Sequence, residues 1–166
     1  MSIPVPGAGT FGRSLDMVAE VFKPVGTGPF PTAVYLHGRD GTQAERLAIT
    51  EDIPRDYLRY WMGKGFAVVA PMRPGYGKTG GNDRESPGFR WEGAGKCTRP
   101  DFAKAISAAA QAASAALDWA RVQPWVRANA LLLTGNSVGG ITTVATASTN
   151  PVGMPHLLWE VAQRLW

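Results

Sequence analysis

The stretch TGNSVGG, residues 134–140, decides how this sequence folds. It follows the apolar run 130–133, which is typical of a buried strand, and it precedes segment 141–148, which has the pattern of a helix. Between them a serine lies among glycines, the residues that best tolerate a sharp turn of the backbone. The stretch therefore predicts a strand, a strained turn at Ser137 and a helix.

This layout is that of a nucleophile elbow, a turn that holds a reactive side chain above the edge of a sheet. Gly135 and Gly139 leave room where strand and helix cross, because neither carries a Cβ atom. Ser137 is the candidate nucleophile, and the backbone N–H of Val138 is a candidate donor to the oxyanion of acyl transfer. The motif leaves one alternative open, a glycine-rich turn in which Ser137 only caps the helix.

A second loop is expected to approach the serine from the same edge of the sheet. The apolar run 32–36 is followed by His37, Gly38 and Arg39, where the glycine lets the backbone turn toward the site. Acyl transfer needs two N–H donors for its oxyanion. We expect the backbone N–H of Arg39 to be the second donor, beside that of Val138.

The rest of the chain alternates between strand and helix patterns. Strands are predicted at 17–24, 32–36 and 66–71, and helices at 53–61 and 100–122. The buried stripe of the second helix is expected to include Phe102 and Leu117. Segments 1–14 and 72–95 are rich in Pro and Gly and are expected to be irregular. Because these strands need cover on both faces, we predict an α/β fold, a three-layer αβα sandwich with a mostly parallel sheet.

Composition narrows the class of protein. The chain has 166 residues, which favours one domain, and its net charge of +4 comes from 17 basic and 13 acidic residues that are scattered along it. We therefore expect no nucleic-acid partner. Cys97 is the single cysteine, so no internal disulfide and no metal framework are predicted. No export signal and no spanning segment of about 20 apolar residues is visible, and we expect a soluble, cytoplasmic chain without a membrane partner.

Three motifs resemble those of one superfamily. YLHG at 35–38, RPGYG at 73–77 and GNSVGG at 135–140 each follow a predicted strand, in the order found in α/β-hydrolases of the dienelactone hydrolase and prolyl-oligopeptidase types. The resemblance makes 1–166 a single, partial domain holding the N-terminal half of that fold. It implies hydrolysis of an ester or peptide bond in a small-molecule or peptide substrate through an acyl-serine, with no cofactor and no metal. It also implies that His37 and Gly38 support the oxyanion loop.

The catalytic acid and histidine depart from the pattern of that family. The family places them after the nucleophile, in the order Ser, Asp or Glu, His. Beyond Ser137 this chain has one histidine, His156, and one carboxylate, Glu160, in the reverse order. A helix over 137–148 would also carry the chain about 18 Å away from the serine. We therefore expect His156 and Glu160 to form an i, i+4 surface pair rather than part of a triad.

Two functions remain open from the sequence. The first is a serine hydrolase that is impaired, or that another chain completes with an acid and a histidine. The second is a noncatalytic remnant or interaction domain of the same fold, truncated after the elbow helix. In both cases the strand at 130–133 would lie at an edge of the sheet, where a second copy or a complementing chain could pair with it.

Other polar residues near the predicted site have weaker support. His37 is an alternative general base. The following loop carries three carboxylates that could contact the site or be solvated loop charges, namely Asp40, Glu51 and Asp52. Arg73 and Arg84 could meet an acidic group of the substrate or be solvated. The tripeptide GKT at 77–79 ends like a phosphate-binding loop, but Met72 replaces the glycine that this motif requires, so nucleotide binding is not expected.

Overall fold

A computed structural model describes residues 1–50, 52–88, 91–92, 96–97 and 100–149. The strands are β1 (Ser2–Val5), β2 (Leu15–Phe22), β3 (Phe30–Leu36), β4 (Ala67–Pro71), β5 (Trp91–Glu92), β6 (Lys96–Cys97) and β7 (Val126–Gly135). The helices are α1 (Gln43–Ala48), α2 (Arg55–Gly63), α3 (Phe102–Arg121) and α4 (Val138–Thr149), with 3₁₀ turns at Thr10–Gly12 and Gly77–Thr79. None of the described helices is long and apolar enough to cross a membrane.

The main sheet has five strands in the order β1-β2-β4-β3-β7. Strand β3 runs parallel to both of its neighbours, with Val34 opposite Val69 of β4 and Leu133 of β7. Strands β2 and β1 extend the sheet in antiparallel pairing, so the parallel part is confined to β4, β3 and β7. Among the described residues, β7 is the last strand on its side of the sheet. The carboxyl ends of β3 and β7 therefore lie side by side, which is where parallel sheets bind ligands.

Helices cover both faces of the sheet, as the predicted three-layer fold requires. Helix α2 places the buried Trp61 against one face, together with Ile53 and Tyr35. Helix α3 packs a row of buried alanines and Leu117 against the other face. Because alanine has the smallest side chain that still favours a helix, this row lets α3 lie close to the strands. Phe102, predicted to lie on the same row, instead has 54% of its surface exposed, because the buried part of the helix begins one turn later at Ala105.

The prediction of an irregular segment 1–14 is wrong. Strand β1 lies inside it and pairs with β2, with Ile3 opposite Met17. Ile3 and Val5 are fully buried while Ser2 and Pro4 are exposed, which is the alternation expected for an edge strand covered on one face. Four residues are too few for this alternation to stand out between the prolines and glycines that surround it.

Candidate active site

Ser137 lies in the turn between β7 and α4, where its backbone φ is +52°. A residue with a Cβ atom pays about 1–3 kcal/mol to occupy this left-handed region, so the surrounding structure must hold it there. The N–H of Asn136 donates to the carbonyl of Leu36 on β3 at 3.1 Å, and the N–H of Gly139 donates to the backbone carbonyl of Asn136 at 2.8 Å. The N–H of Ile141 then donates to the backbone carbonyl of Ser137 at 3.1 Å, which is the first hydrogen bond of the helix. The strand, strained turn and helix predicted around this serine are therefore present.

The glycines of this turn are required by the backbone around them. A Cβ atom on Gly139 would overlap the carbonyl oxygen of Leu36 and lie 2.7 Å from that of His37. A Cβ atom on Gly135 would lie 2.5 Å from the carbonyl carbon of Gly139 and 2.8 Å from the oxygen of Leu36. These separations are shorter than any side chain tolerates, so β3, β7 and α4 meet here through main chain alone.

The loop after β3 reaches the serine directly. A Cβ atom added to Gly38 would lie 3.5 Å from the Cβ atom of Ser137, so the predicted oxyanion loop lies next to the predicted nucleophile. Both Gly38 and Arg39 line the cavity that also contains Ser137. This places Arg39, the expected second oxyanion donor, on the loop adjacent to the serine.

His37 is held by both of its ring nitrogens. Its Nδ1–H donates to the carbonyl of Gly38 at 2.7 Å, and its Nε2 accepts the backbone N–H of Arg73 at 3.1 Å, a tautomer assigned from these two partners. Burial, together with the positive charge of Arg73, holds the pKa of His37 well below its usual value. The ring is therefore neutral and fully hydrogen-bonded. Its contacts fit a residue that fixes the loop and do not favour the alternative role of general base.

Arg73 is fully buried beneath this loop. Its Nε and Nη2 donate to the two carboxylate oxygens of Glu85 at 2.6 and 3.2 Å. Its Nη1 donates to the carbonyl of His37 at 2.7 Å, and Nη2 also reaches that of Gly38 at 3.3 Å. The idea that Arg73 meets an acidic substrate group is therefore wrong, because this guanidinium is used to hold the oxyanion loop. Arg84 likewise has a partner within the chain, the side chain of Gln111 at 2.8 Å.

Further side chains extend this contact into what we call the arginine network. Its members are Arg39, Arg46, Arg73, Tyr76, Asp83 and Glu85. The hydroxyl of Tyr76 donates to Glu85 at 2.9 Å and accepts from Arg39 at 3.1 Å. Arg39 also donates twice to Asp83, at 2.9 and 2.7 Å. With three guanidinium groups against two carboxylates, the network leaves one excess positive charge beside the oxyanion loop.

Asp83 joins the two arginines on the outer side of the network. Arg46, which α1 carries, reaches the same carboxylate at 3.0 Å. Burial alone would raise the pKa of Asp83, but the hydrogen bonds and charge of Arg39 and the charge of Arg46 bring it below the usual value. Helix α1 was not predicted from the sequence, although Thr42 and Glu45 form a capping box at its start.

A cavity of about 410 Å³ opens in front of Ser137. Its walls come from β3, the loop that follows it and the serine turn, namely Tyr35, His37, Gly38, Arg39, Asp40, Ile49, Asp52, Pro54, Asn136 and Ser137. Asp40 is exposed at its rim, whereas Asp52 is 1% exposed. Glu51, the third carboxylate considered from the sequence, lies outside the described residues.

Asp52 is a buried carboxyl group that receives no hydrogen bond from a side chain of the described residues, although the backbone N–H of Glu20 lies close enough to lower its pKa. Burial, and then the negative charge of Glu20, raise its pKa to about 6, although the positive charge of Lys78 acts in the opposite direction. With a pKa near 6, this carboxyl group is mainly protonated below that pH and mainly ionised above it. Burying an unpaired polar group costs free energy, so a site of this kind needs an explanation.

A second, apolar cavity of about 230 Å³ borders the same loop and helix. It is lined mainly by Pro87, Phe102, Ala105, Ile106, Val138 and Ile141, with Arg39 and Glu85. Arg39 lines both cavities, and the two residues expected to provide oxyanion donors, Arg39 and Val138, both border the second. The candidate oxyanion site therefore lies where the cavity in front of Ser137 and this second cavity approach each other.

The remaining motifs are accounted for in other ways. The hydroxyl of Thr79 donates to the carbonyl of Met72 at 2.5 Å and accepts the N–H of Val18 at 2.9 Å, so the GKT turn is tied to β2. Within the described ranges no three His, Cys, Asp or Glu side chains are grouped as metal ligands would be. His156 and Glu160 lie outside those ranges.

Comparisons with known proteins were made by sequence and by structure. No protein-family model matches the sequence, and curated proteins give no match either. Est1E from Butyrivibrio proteoclasticus, solved with ferulic acid bound, is similar over 96% of this chain and 51% of its own, at 16% identity and a TM-score of 0.60. The dienelactone hydrolase-like promiscuous phosphotriesterase P91, from metagenomic libraries, is similar over 95% and 55%, at 16% identity and a TM-score of 0.56. A prolyl endopeptidase is similar over 91% and 19%, at 19% identity and a TM-score of 0.52.

The chain has the α/β-hydrolase fold. It spans about half of the length of Est1E and P91 and about a fifth of that of the prolyl endopeptidase. The resemblance drawn from the three sequence motifs is confirmed for the fold and for the kinds of structure it matches. Asp83 and Glu85 were not predicted from the sequence, because they belong to a loop without periodicity. The available signal was the arginine of RPGYG at the end of a buried strand, because a buried arginine requires a carboxylate nearby.

Proposed function

We propose that this chain is a serine hydrolase domain in which Ser137 attacks an ester or peptide carbonyl. The observation that carries the proposal is the positive φ of Ser137, held by glycines that contact β3 through main chain alone. A turn that only caps a helix has no need of this strain, because an ordinary cap residue adopts an extended backbone. Strain kept at a single serine, beside a cavity, is typical of a catalytic turn.

In the proposed reaction, Oγ of Ser137 forms a bond to the carbonyl carbon and its proton passes to a base. The N–H groups of Val138 and Arg39 donate to the oxyanion, and the excess positive charge of the arginine network favours the same charge. The bond to the leaving alcohol or amine then breaks, and the leaving group takes up the proton. Water hydrolyses the acyl-serine in a second, equivalent step.

The general base is the part of this mechanism that the described residues do not supply. His37 is the histidine within the described ranges, and both of its nitrogens are engaged. The acid and base must therefore come from residues outside those ranges or from another chain. A domain that receives neither would be an impaired hydrolase or a noncatalytic interaction domain, and the engaged state of His37 is the observation that favours this second candidate.

The structural neighbours differ in activity, so they do not indicate which bond this chain would cleave. One neighbour binds ferulic acid, another is a promiscuous phosphotriesterase, and others are prolyl endopeptidases. Since these activities differ, we propose as this chain's substrate only a small-molecule ester or a peptide. No cofactor is needed for the proposed reaction.

A fluorophosphonate probe tests the proposal, because it reacts with activated serines. We expect intact mass to show one adduct and peptide mapping to place it on Ser137. Ser137→Ala should abolish the adduct, while Ser148→Ala, on the exposed end of α4, should retain it. Absence of labelling in protein with a cooperative unfolding transition would overturn the hydrolase proposal and favour the noncatalytic domain.

Sedimentation of the same samples tests the source of the missing groups. If a second copy completes the site, labelling should appear at protein concentrations that produce dimers and disappear on dilution. Labelling that is independent of concentration in a strict monomer would exclude completion by a second copy.

A further inference from the structure

A cavity of about 660 Å³ lies apart from the one in front of Ser137, and the two share no lining residue. It opens between the loop at 83–86 and one face of α3. Its polar lining residues are Asp83, Arg84, Ser86, Lys104, Ser107 and Gln111. The proposed reaction does not use the two cations among them, Arg84 and Lys104.

We propose that this cavity binds a small organic molecule through a carboxylate or phosphate group, with Arg84 as the main contact. The volume falls in the range of sites for small organic molecules, so the anionic group would be one part of a larger ligand. The proposal goes beyond the function proposed above, because it does not require Ser137 to react.

Arg84 is held in place with one edge of its guanidinium group free. Its Nη1 donates to Oε1 of Gln111 at 2.8 Å, and Nε2 of Gln111 donates to the backbone carbonyl of Pro6 at 2.7 Å. The amide of Gln111 is therefore anchored at both ends, which fixes the direction of the arginine. A contact group that is ordered before the ligand arrives loses less entropy on binding.

The free edge of Arg84 is accessible to a ligand. Its Nε and Nη2 have no partner among the described residues, yet neither belongs to the buried polar atoms that lack one. Arg84 is half-buried, so these two nitrogens are open to solvent. Because Nε–H and Nη2–H point in parallel, they form the pair that binds both oxygens of a carboxylate or two oxygens of a phosphate.

The cavity also has positive charge that the chain does not neutralise. Asp83 is the carboxylate of its lining, and this group already accepts two hydrogen bonds from Arg39 and an ion pair from Arg46. Within the part of the chain that the structure describes, neither Arg84 nor Lys104 has an ion-pair partner. An anion placed between them would relieve the repulsion of the two cations.

Helix α3 presents further donors on the same face as Lys104. Lys104, Ser107 and Gln111 are spaced by three and four residues, so they lie on one side of the helix. Lys104 and Ser107 are exposed, and the ammonium and hydroxyl groups can each donate to an oxyanion. The anchored arginine is what distinguishes this cavity from an ordinary basic surface, where cations are only solvated.

Isothermal titration calorimetry of the whole chain tests the proposal with three ligands that share a phenyl ring. They are phenyl phosphate, benzoate and the uncharged benzyl alcohol. We expect both anions to bind at least about tenfold more tightly than the alcohol, because charge-assisted hydrogen bonds to arginine are strong. The tighter of the two anions identifies the group that the site prefers. Equal binding of all three ligands, or no binding of the anions, would overturn the proposal.

Two charge-removing variants locate the site. Arg84→Met should raise the dissociation constant of both anions about tenfold, and Lys104→Met should raise it about threefold. Arg59→Met and Lys64→Met are the matched controls, because they remove the same charges from exposed positions on and beside α2 and should change it less than about twofold. Equal losses in variants and controls would mean that anions respond only to net charge, and the proposal would fail.

Gln111→Leu separates a built site from general attraction, since it frees Arg84 without changing the charge of the chain. We expect the dissociation constant of the anions to rise about fivefold. An unchanged constant would show that Arg84 is not held for binding and would overturn the proposal. If Arg84→Met lacks a cooperative urea transition, Lys104→Met decides, because its side chain is exposed. Labelling of Ser137 tests the hydrolase function separately, because none of these residues lines its cavity.

Discussion

Two groups of buried charges border the same serine, and they differ in how they are satisfied. In the arginine network, Glu85 receives donors from Arg73 and Tyr76, and Asp83 receives donors from Arg39 and Arg46. Asp52 is more deeply buried than Asp83 and receives no donor from an arginine or tyrosine side chain of the described residues. The carboxylates of the network have their hydrogen-bond donors within the chain, so the role left to the network is to hold the backbone. The carboxyl group of Asp52 has no such side-chain donor, so its burial costs free energy that is not recovered in this way.

The two groups should also respond differently when one of their charges is removed. Removing one partner of a buried ion pair leaves the other charge uncompensated. Replacing any member of the network should therefore lower the free energy of unfolding. Removing an unpaired charge relieves a penalty, so replacing Asp52 should stabilise the chain. Stability measurements on matched variants can therefore test this distinction without any substrate.

The largest effect is expected for Arg73→Met. This change leaves Glu85 charged and buried and removes donors from two carbonyls of the oxyanion loop. We expect the free energy of unfolding to fall by about 3–5 kcal/mol, measured by urea denaturation. Arg59→Met is the control, since the side chain of Arg59 is 78% exposed and should change stability by no more than about 0.5 kcal/mol. A loss at Arg73 as small as that at Arg59 would contradict the role of the network.

The next effect has the opposite sign and depends on pH. The folded pKa of Asp52, about 6, lies above the unfolded value of about 3.9, so the folded chain binds the extra proton. Wild-type stability should therefore carry no penalty below pH 4 and fall as the pH rises through 6, by at most about 2 kcal/mol because solvent screens part of this charge. Asp52→Asn removes this loss, so the variant should gain on the wild type between pH 4 and pH 8.

This gain can be measured as the difference between two urea curves at each pH, which cancels the titration of all other groups. Asp118→Asn is the control for the loss of one carboxylate, because Asp118 is largely exposed. A constant difference for Asp52→Asn would show that this carboxyl group is already paired in solution.

The smallest effect is expected for Tyr76→Phe. The hydroxyl of Tyr76 bridges Arg39 and Glu85, so its removal leaves each of them short of one partner while both keep others. We expect a loss of about 1–2 kcal/mol in thermal or urea unfolding. Tyr60→Phe provides the comparison, since Tyr60 is 52% exposed and its change should be near zero. Equal results for the two tyrosines would mean that the bridge adds nothing to stability.

Parts of this structure could be predicted because they depend on local pattern. Apolar runs gave β3 and β4, the spacing of Tyr57, Leu58 and Trp61 gave α2, and the paired glycines gave the turn at Ser137. Each signal lies within about ten residues of sequence. Strand β1 was missed because its four residues lie among prolines and glycines that usually indicate a loop.

The main-chain arrangement of the candidate site could be predicted from the sequence, but the contacts of its buried side chains could not. Arg39 pairs with Asp83 across 44 positions and Arg73 with Glu85 across 12, and no periodicity connects them. Asp52 could be named as a loop carboxylate, but its burial depends on how the loop folds over β2 and the 77–79 turn. Long-range pairing of charges is decided by tertiary packing, which a single sequence does not display.

The contact of Gly139 with the carbonyl of Leu36 has a consequence for how such a protein can diverge. The position of Ser137 relative to the loop at Gly38 is set by main-chain atoms, which substitutions of side chains do not change. The cavity walls, by contrast, are side chains such as Ile49 and Asp52, each of which can be exchanged singly. Substitutions in the walls can therefore change which molecules the cavity accepts, while the main-chain position of Ser137, the proposed nucleophile, stays constant.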